Sequence, residues 1–281
     1  MKLPRRSFLR TSLAASAAAT LAPRSVSAAP AAGAREYYEV RCYRLKPEKR
    51  LKAAPNRALL DAYLEKALLP ALARRKIGPV GVFTELEVNK AAATSAPLAD
   101  SPVWVLIPHA SLESIVAVNA DLNLDPDVQK AGAAYLTTPK PAPAYERVDS
   151  WVLRAFKSMP KMEIPEFSAK RVPTRVFEMR DYESHSEERA LNKMAMFDDG
   201  ETDVMRSLGM APLFFGQAVA GPNLPHLRYI TGGPDLATHL ANWKKFGPDP
   251  RWTKLKGDPR YADNTSLNTA RFLVPTAYSQ I

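Results

Sequence analysis

The second half of this chain repeats the first, and that repetition limits the fold more than any other feature. Tyr38-Glu39-Val40-Arg41-Cys42-Tyr43 lines up with Phe177-Glu178-Met179-Arg180-Asp181-Tyr182. A second landmark, the Asp-Pro of Leu124–Val128, recurs in Gly247–Trp252. The first copy is longer between its landmarks, and the Ala-, Ser- and Pro-rich stretch 88–102 can absorb the difference as a loop. The copies are set at 36–156 and 175–281, with a three-proline connector at 157–174.

Each copy predicts the same element order. In the first, alternation predicts a strand at 37–45, and Leu59, Leu60, Tyr63, Leu64, Ala67, Leu68 and Leu72 predict a helix over 56–76. Strands at 81–88 and 103–108 follow. Ser111 is placed to cap a helix, a short helix spans 127–136, and 145–156 is the closing strand. In the second, strands are expected at 175–182, 213–219, 227–231 and 268–275. A helical stretch from Ser184 or Ser186 to Leu208, broken near Gly200 and stopped by Gly209, is followed by helices at 234–246 and 250–256. The order β-α-β-β-α-β is ferredoxin-like. Such a sheet carries helices on one face only, so its other face needs a cover. The fold class expected is therefore α+β: tandem ferredoxin-like repeats packed as an intramolecular dimeric α+β barrel.

The N-terminus stands apart from this pattern. Pro4-Arg5-Arg6-Ser7-Phe8-Leu9-Arg10 resembles the twin-arginine export consensus, Leu13–Ala22 is a mildly apolar core, and Ser25-Val26-Ser27-Ala28 offers small residues for cleavage. Residues 1–28 are expected to be a signal peptide that sends the chain to the periplasm or otherwise exports it. That leader holds Lys2, Arg5, Arg6, Arg10 and Arg24 and no acid, so the formal charge of +10 falls to +5 without it. Such a charge, with no basic stripe bearing interleaved aromatics, excludes a nucleic-acid binder. No later run is long and apolar enough for a transmembrane span. Cys42, the only cysteine, excludes an intramolecular disulfide and reads as a small buried hydrophobe.

The second copy carries the densest motifs: Asp198–Met205, Leu208–Gly216, Gly221–Tyr229, Trp243-Lys244-Lys245-Phe246, Asp249-Pro250-Arg251-Trp252 and the final Pro275–Ile281. These resemble the NIPSNAP family in its bacterial exported form, densely over 176–281 and more weakly over 37–156. The resemblance implies the dimeric α+β barrel superfamily, which includes cofactor-free monooxygenases, haem-degrading enzymes, isomerases and stress-response proteins.

Candidate site residues come from the repeated strand. Alternation puts Glu39, Arg41 and Tyr43 on one face, and Glu178, Arg180 and Tyr182 on the equivalent face. With the apolar residues turned toward the helices, these sets are expected inside the barrel. There they either form a structural ion-pair network, paired across the pseudo-twofold, or hold an anionic ligand with Glu or Tyr handling a proton. Trp243 and Trp252 are core aromatics or pocket walls.

His109, His185, His226 and His239 lack metal-ligand spacing. His185 or His239 could serve a haem, although no cofactor is indicated by the sequence. Asp198, Asp199, Glu201 and Asp203 cluster at a helix break and read as cap and first-turn acids rather than a metal site. Three functions stay open: binding of a small apolar or aromatic molecule between sheet and helices, cofactor-free monooxygenase or isomerase chemistry, and a haem-binding or protein-interaction module. A homo-oligomer is an expected partner state.

Overall fold

The computed structural model describes residues 34–47 and 55–281. The expected twin-arginine leader and its cleavage site lie outside the described residues. Among those residues no helix is long and apolar enough to cross a membrane.

The described residues form nine strands: β1 (Tyr37–Arg44), β2 (Gly81–Asn89), β3 (Thr94–Pro97), β4 (Val103–His109), β5 (Arg147–Ala155), β6 (Val176–Glu183), β7 (Phe214–Ala220), β8 (His226–Gly233) and β9 (Leu267–Pro275). Their order is β3-β2-β4-β1-β5-β7-β8-β6-β9, and β2 also pairs β9. Eight antiparallel strands therefore close a barrel, and β3 hangs outside on β2. Within each half the order is the ferredoxin-like one. The halves join edge to edge at two equivalent seams, β5–β7 and β2–β9. Closure removes the unpaired edges that an isolated four-stranded sheet would expose.

Among the described residues, four main helices cover the outside. Helix α1 (57–74) starts at Asn56, whose side chain accepts from the Leu59 amide at 3.1 Å. Leu60, Leu64, Leu68 and Leu72 fall on one face and are fully buried. A π-helical turn at Leu64–Leu68 lets the Leu69 amide donate to the Leu64 carbonyl, just before Pro70, which has no amide to give. Helix α2 (Leu112–Asp121) is capped by Ser111. Helix α3 (187–207) is capped by Ser186 and passes through a π turn in which Gly200 takes φ +147°. Helix α4 (Leu236–Phe246) is capped by Asp235, which accepts from the Thr238 amide at 2.7 Å. The stretch 88–102, expected as a loop, instead forms the β2–β3 hairpin, with Leu86 opposite Pro97 and Asn89 opposite Thr94. Alternation was masked there because every β3 residue is exposed.

The facing of the repeated strand corrects the sequence reading. Tyr38, Val40, Phe177 and Met179 point into the barrel, where they pack with Phe83, Leu106, Leu153, Phe214 and Leu273 from both halves. Glu39, Arg41, Tyr43, Glu178, Arg180 and Tyr182 face the helices instead. The physical reason is dryness. Eight strands enclose an interior whose middle is filled by apolar side chains, so charges there would lose water without gaining partners. The layer between sheet and helices offers polar helix residues and a lateral opening. The Glu–Arg pairs accordingly form within each half, not across the pseudo-twofold.

Candidate functional site: the layer between sheet and helices in the second half

Equivalent strand positions meet different helix residues in the two halves. Counting from the helix caps Ser111 and Asp235, Ile115 corresponds to His239 and Asn119 to Trp243.

In the first half the pair is closed. Arg41 donates from Nε and Nη2 to the two Glu39 oxygens, both at 2.8 Å. Asn119 Nδ2 at 3.2 Å and Ser150 Oγ at 3.1 Å donate to Glu39 Oε1. Arg41 Nη2 also donates to Asn119 Oδ1 at 3.3 Å. Burial opposes the Glu39 charge, but the hydrogen bonds and charge of Arg41 outweigh it and hold the carboxyl below its usual range. Tyr43 packs among the α1 residues and edge-on to Tyr145.

In the second half the pair is open. Arg180 Nε stands 3.8 Å from Glu178 Oε1, beyond hydrogen-bond range, and has no hydrogen-bond partner. The guanidinium lies instead over the Trp243 ring, 4.3 Å from its centroid. Glu178 is buried and turns its Oε2 to His239 Nε2 at 2.9 Å. Burial again opposes its charge, while His239 and Arg180 prevail and lower its pKa. The ionised carboxylate calls for the tautomer with hydrogen on Nε2. Yet the Trp243 indole N–H also points at Nε2, at 3.1 Å. One nitrogen cannot donate to the carboxylate and accept from the indole at once, so the position of a single proton decides which neighbour it serves. His239 Nδ1 is buried with no partner.

Behind this group, Tyr182 and Tyr229 share a hydroxyl hydrogen bond of 2.8 Å. Burial, first among its causes, pushes Tyr182 up to about 12. Beyond them Lys193 Nζ meets Glu201 at 2.7 Å, both buried. In front, a cavity of about 310 Å³ is lined by Lys90, Glu178, Arg180, Leu240, Trp243 and Lys244. Three cations, one carboxylate and two apolar walls make it suited to an anion with an apolar or aromatic body.

Of the residues singled out in the sequence, Glu178, Arg180 and Trp243 line this cavity, and Tyr182 lies behind it. Glu39, Arg41 and Tyr43 form the closed counterpart in the first half. Trp252 does not reach the cavity; its ring packs 4.6 Å from Phe246. His239 is no haem ligand in this arrangement, because it is fully buried with Nε2 engaged, and His185 is an exposed residue. The acidic cluster is dispersed: Asp198 accepts from the Ser158 amide, Asp199 from Tyr261, and Glu201 from Lys193. Among the described residues no group of three His, Cys, Asp or Glu could hold a metal. His239, Lys90 and Lys244 were missed as site residues. The spacing of His239 to Trp243, four apart on one helix, was the available signal.

Against known proteins, the likeness lies in the second half. Residues 177–280 match the NIPSNAP family model. The NIPSNAP stretch holds Glu178, Arg180, His239 and Trp243, but not Lys90, which comes from the first half. No curated protein matches the chain. Among solved structures, an uncharacterized NIPSNAP-like domain protein from Burkholderia xenovorans is 15% identical over 38% of this chain and 89% of its own, with a TM-score of 0.34. A protein described as a candidate monooxygenase from Lactobacillus acidophilus is 8% identical over 86% of this chain and 94% of its own, at 0.47. A similarly described protein from Fusobacterium nucleatum is 8% identical over 86% and 93%, at 0.49. None of these likenesses bears on activity.

Proposed function

We propose that the second-half layer binds a small anionic molecule with an aromatic or apolar body. One observation carries this reading: the duplicated Glu–Arg pair is saturated in the first half and opened in the second, where Arg180 keeps a buried, unpartnered Nε beside a cavity. A purely structural pair would gain by closing in both halves, since a buried polar group without a partner costs about 1–3 kcal/mol. The ligand's anion would take the free edge of Arg180, with Lys90 and Lys244 at the rim. Its ring would lie between Trp243 and Leu240. Calorimetric titration with 1-naphthoate tests this. Binding that weakens at least tenfold in Arg180→Gln supports the reading; equal binding to both proteins refutes it.

The Glu178–His239 contact favours one extension. A carboxylate held ionised and backed by an imidazole can accept a proton from a bound molecule, as a cofactor-free isomerase or oxygenase requires. Glu178→Gln would then keep 1-naphthoate binding but abolish proton exchange at an acidic C–H of a bound substrate analogue, followed by deuterium incorporation. Exchange retained in the variant would end this extension.

We place the working protein outside the cytoplasm, on the basis of the Arg5-Arg6 leader. Exchanging both arginines for lysine should retain it in the cytoplasm, which fractionation would show.

A further inference from the structure

A second cavity opens at one end of the barrel, and the duplication explains its chemistry. Cys42 on β1 pairs with Trp104 on β4, while its equivalent, Asp181 on β6, pairs with Arg228 on β8. Val40 pairs with Trp151 on β5, while its equivalent, Met179, pairs with Arg271 on β9. Trp104 and Arg228 thus hold one repeat position, and Trp151 and Arg271 another. The first half supplies two indoles and the second half two guanidiniums, all meeting in the same barrel mouth. The cavity there is about 360 Å³.

The groups interlock but leave donors over. Asp181 accepts from Arg228 Nε at 2.5 Å and Nη2 at 3.0 Å, and from Arg271 Nη1 at 2.8 Å. Arg228 lies 4.2 Å from the Trp151 centroid, and Arg271 lies 5.1 Å from that of Trp104. Both indole N–H groups are used, Trp104 on Glu85 Oε1 at 2.8 Å and Trp151 on the Pro222 carbonyl at 3.0 Å. Arg228 is only 2% exposed, and its Nη1 is buried with no hydrogen-bond partner. Lys46, Arg228 and Arg271 line the cavity with Glu85, Asp100 and Asp181, and Arg44 at its edge is paired with Asp149 at 2.7 Å.

We propose that the barrel mouth binds a small polar monocarboxylate. Its oxygens take the Arg228 Nη1 hydrogens, which no protein group accepts, and the outer edge of Arg271. Seven of the lining residues are charged, and each indole is engaged by a guanidinium and by the other ring 5.7 Å away, so the mouth suits a polar acid. This separates the mouth from the sheet–helix cavity, whose Trp243 and Leu240 walls suit an aromatic body.

The four tryptophans, Trp104, Trp151, Trp243 and Trp252, give four indole N–H resonances, and the full chain can be titrated with lactate while they are followed. Saturable shifts of Trp104 and Trp151, with Trp243 and Trp252 unmoved, are expected. Affinity should fall at least tenfold in Arg271→Gln, fall several-fold in Lys46→Gln, and stay unchanged in Arg180→Gln. Should Arg271→Gln fail to fold, the exposed Lys46 carries the test, and unchanged affinity in Lys46→Gln overturns the proposal. No saturation at millimolar lactate, shifts that survive Arg271→Gln, or equal binding of inorganic phosphate would each overturn it too. Shifts confined to Trp243 would place lactate in the sheet–helix cavity and refute the mouth site alone.

Discussion

Arg41 donates two charge-assisted hydrogen bonds to Glu39, whereas Arg180 stands off Glu178 and stacks on Trp243. Their replacement should therefore cost different things. Arg41→Gln leaves a buried carboxylate without its main partner and should destabilise the fold by ~3 kcal/mol in urea unfolding. Arg180→Gln should cost only ~1 kcal/mol, because its charge stands 3.8 Å from Glu178 without a hydrogen bond and Glu178 keeps His239. The sequence showed the repeated Glu-x-Arg-x-Tyr set but not which side it faced. Period-two alternation divides a strand into two faces without naming them. The role of His239 beside Glu178 was not legible, since that partner lies on a strand 61 residues away. Arg228 and Arg271 were invisible for a similar reason: they stand out only once register aligns them with Trp104 and Trp151.

At the scale of elements, the strands and helices that build the barrel could be read from periodicity and caps. Ser111, Ser186 and Asp235 each accept from a first-turn amide, as helix starts require. Gly200 was read as a break, and the helical course does kink there, with Gly200 outside helical geometry. Its φ of +147° is a region that L side chains rarely adopt, although an added Cβ would meet nothing within 4 Å. Gly200→Ala should therefore destabilise through backbone strain alone, by ~1–2 kcal/mol. Thermal unfolding would show this. The β2–β3 hairpin escaped detection because a fully exposed strand carries no hydrophobic pattern.

The two seams make a whole-molecule claim. A single half presents the outer edges of its second and fourth strands, which in the intact chain are covered by the other half. Residues 172–281 expressed alone should therefore pair with a second copy and run as a dimer in native mass spectrometry; a folded monomer would contradict the closure argument. Acid response is another global property. Burial lowers the pKa of His109 from 6.5 to about 4, and lowers that of His226. Between the unfolded and folded values the unfolded chain binds more protons, so stability contributed by these groups falls as pH falls below 6.5. Glu39, Glu178 and Asp181, also lowered, extend the loss below their ordinary 4.5 and 3.8. Glu201 acts oppositely, because burial raises it. Comparison with His109→Gln, which shares Glu201, isolates the imidazole: the variant should lose up to ~3 kcal/mol less between pH 6.5 and 4. The central claim concerns the opened pair in the second half, and the Trp243 indole resonance reports on it directly. Titration with 1-naphthoate should shift Trp243 saturably in the wild type and not in Arg180→Gln. An unmoved Trp243, or an equal shift without Arg180, would contradict it.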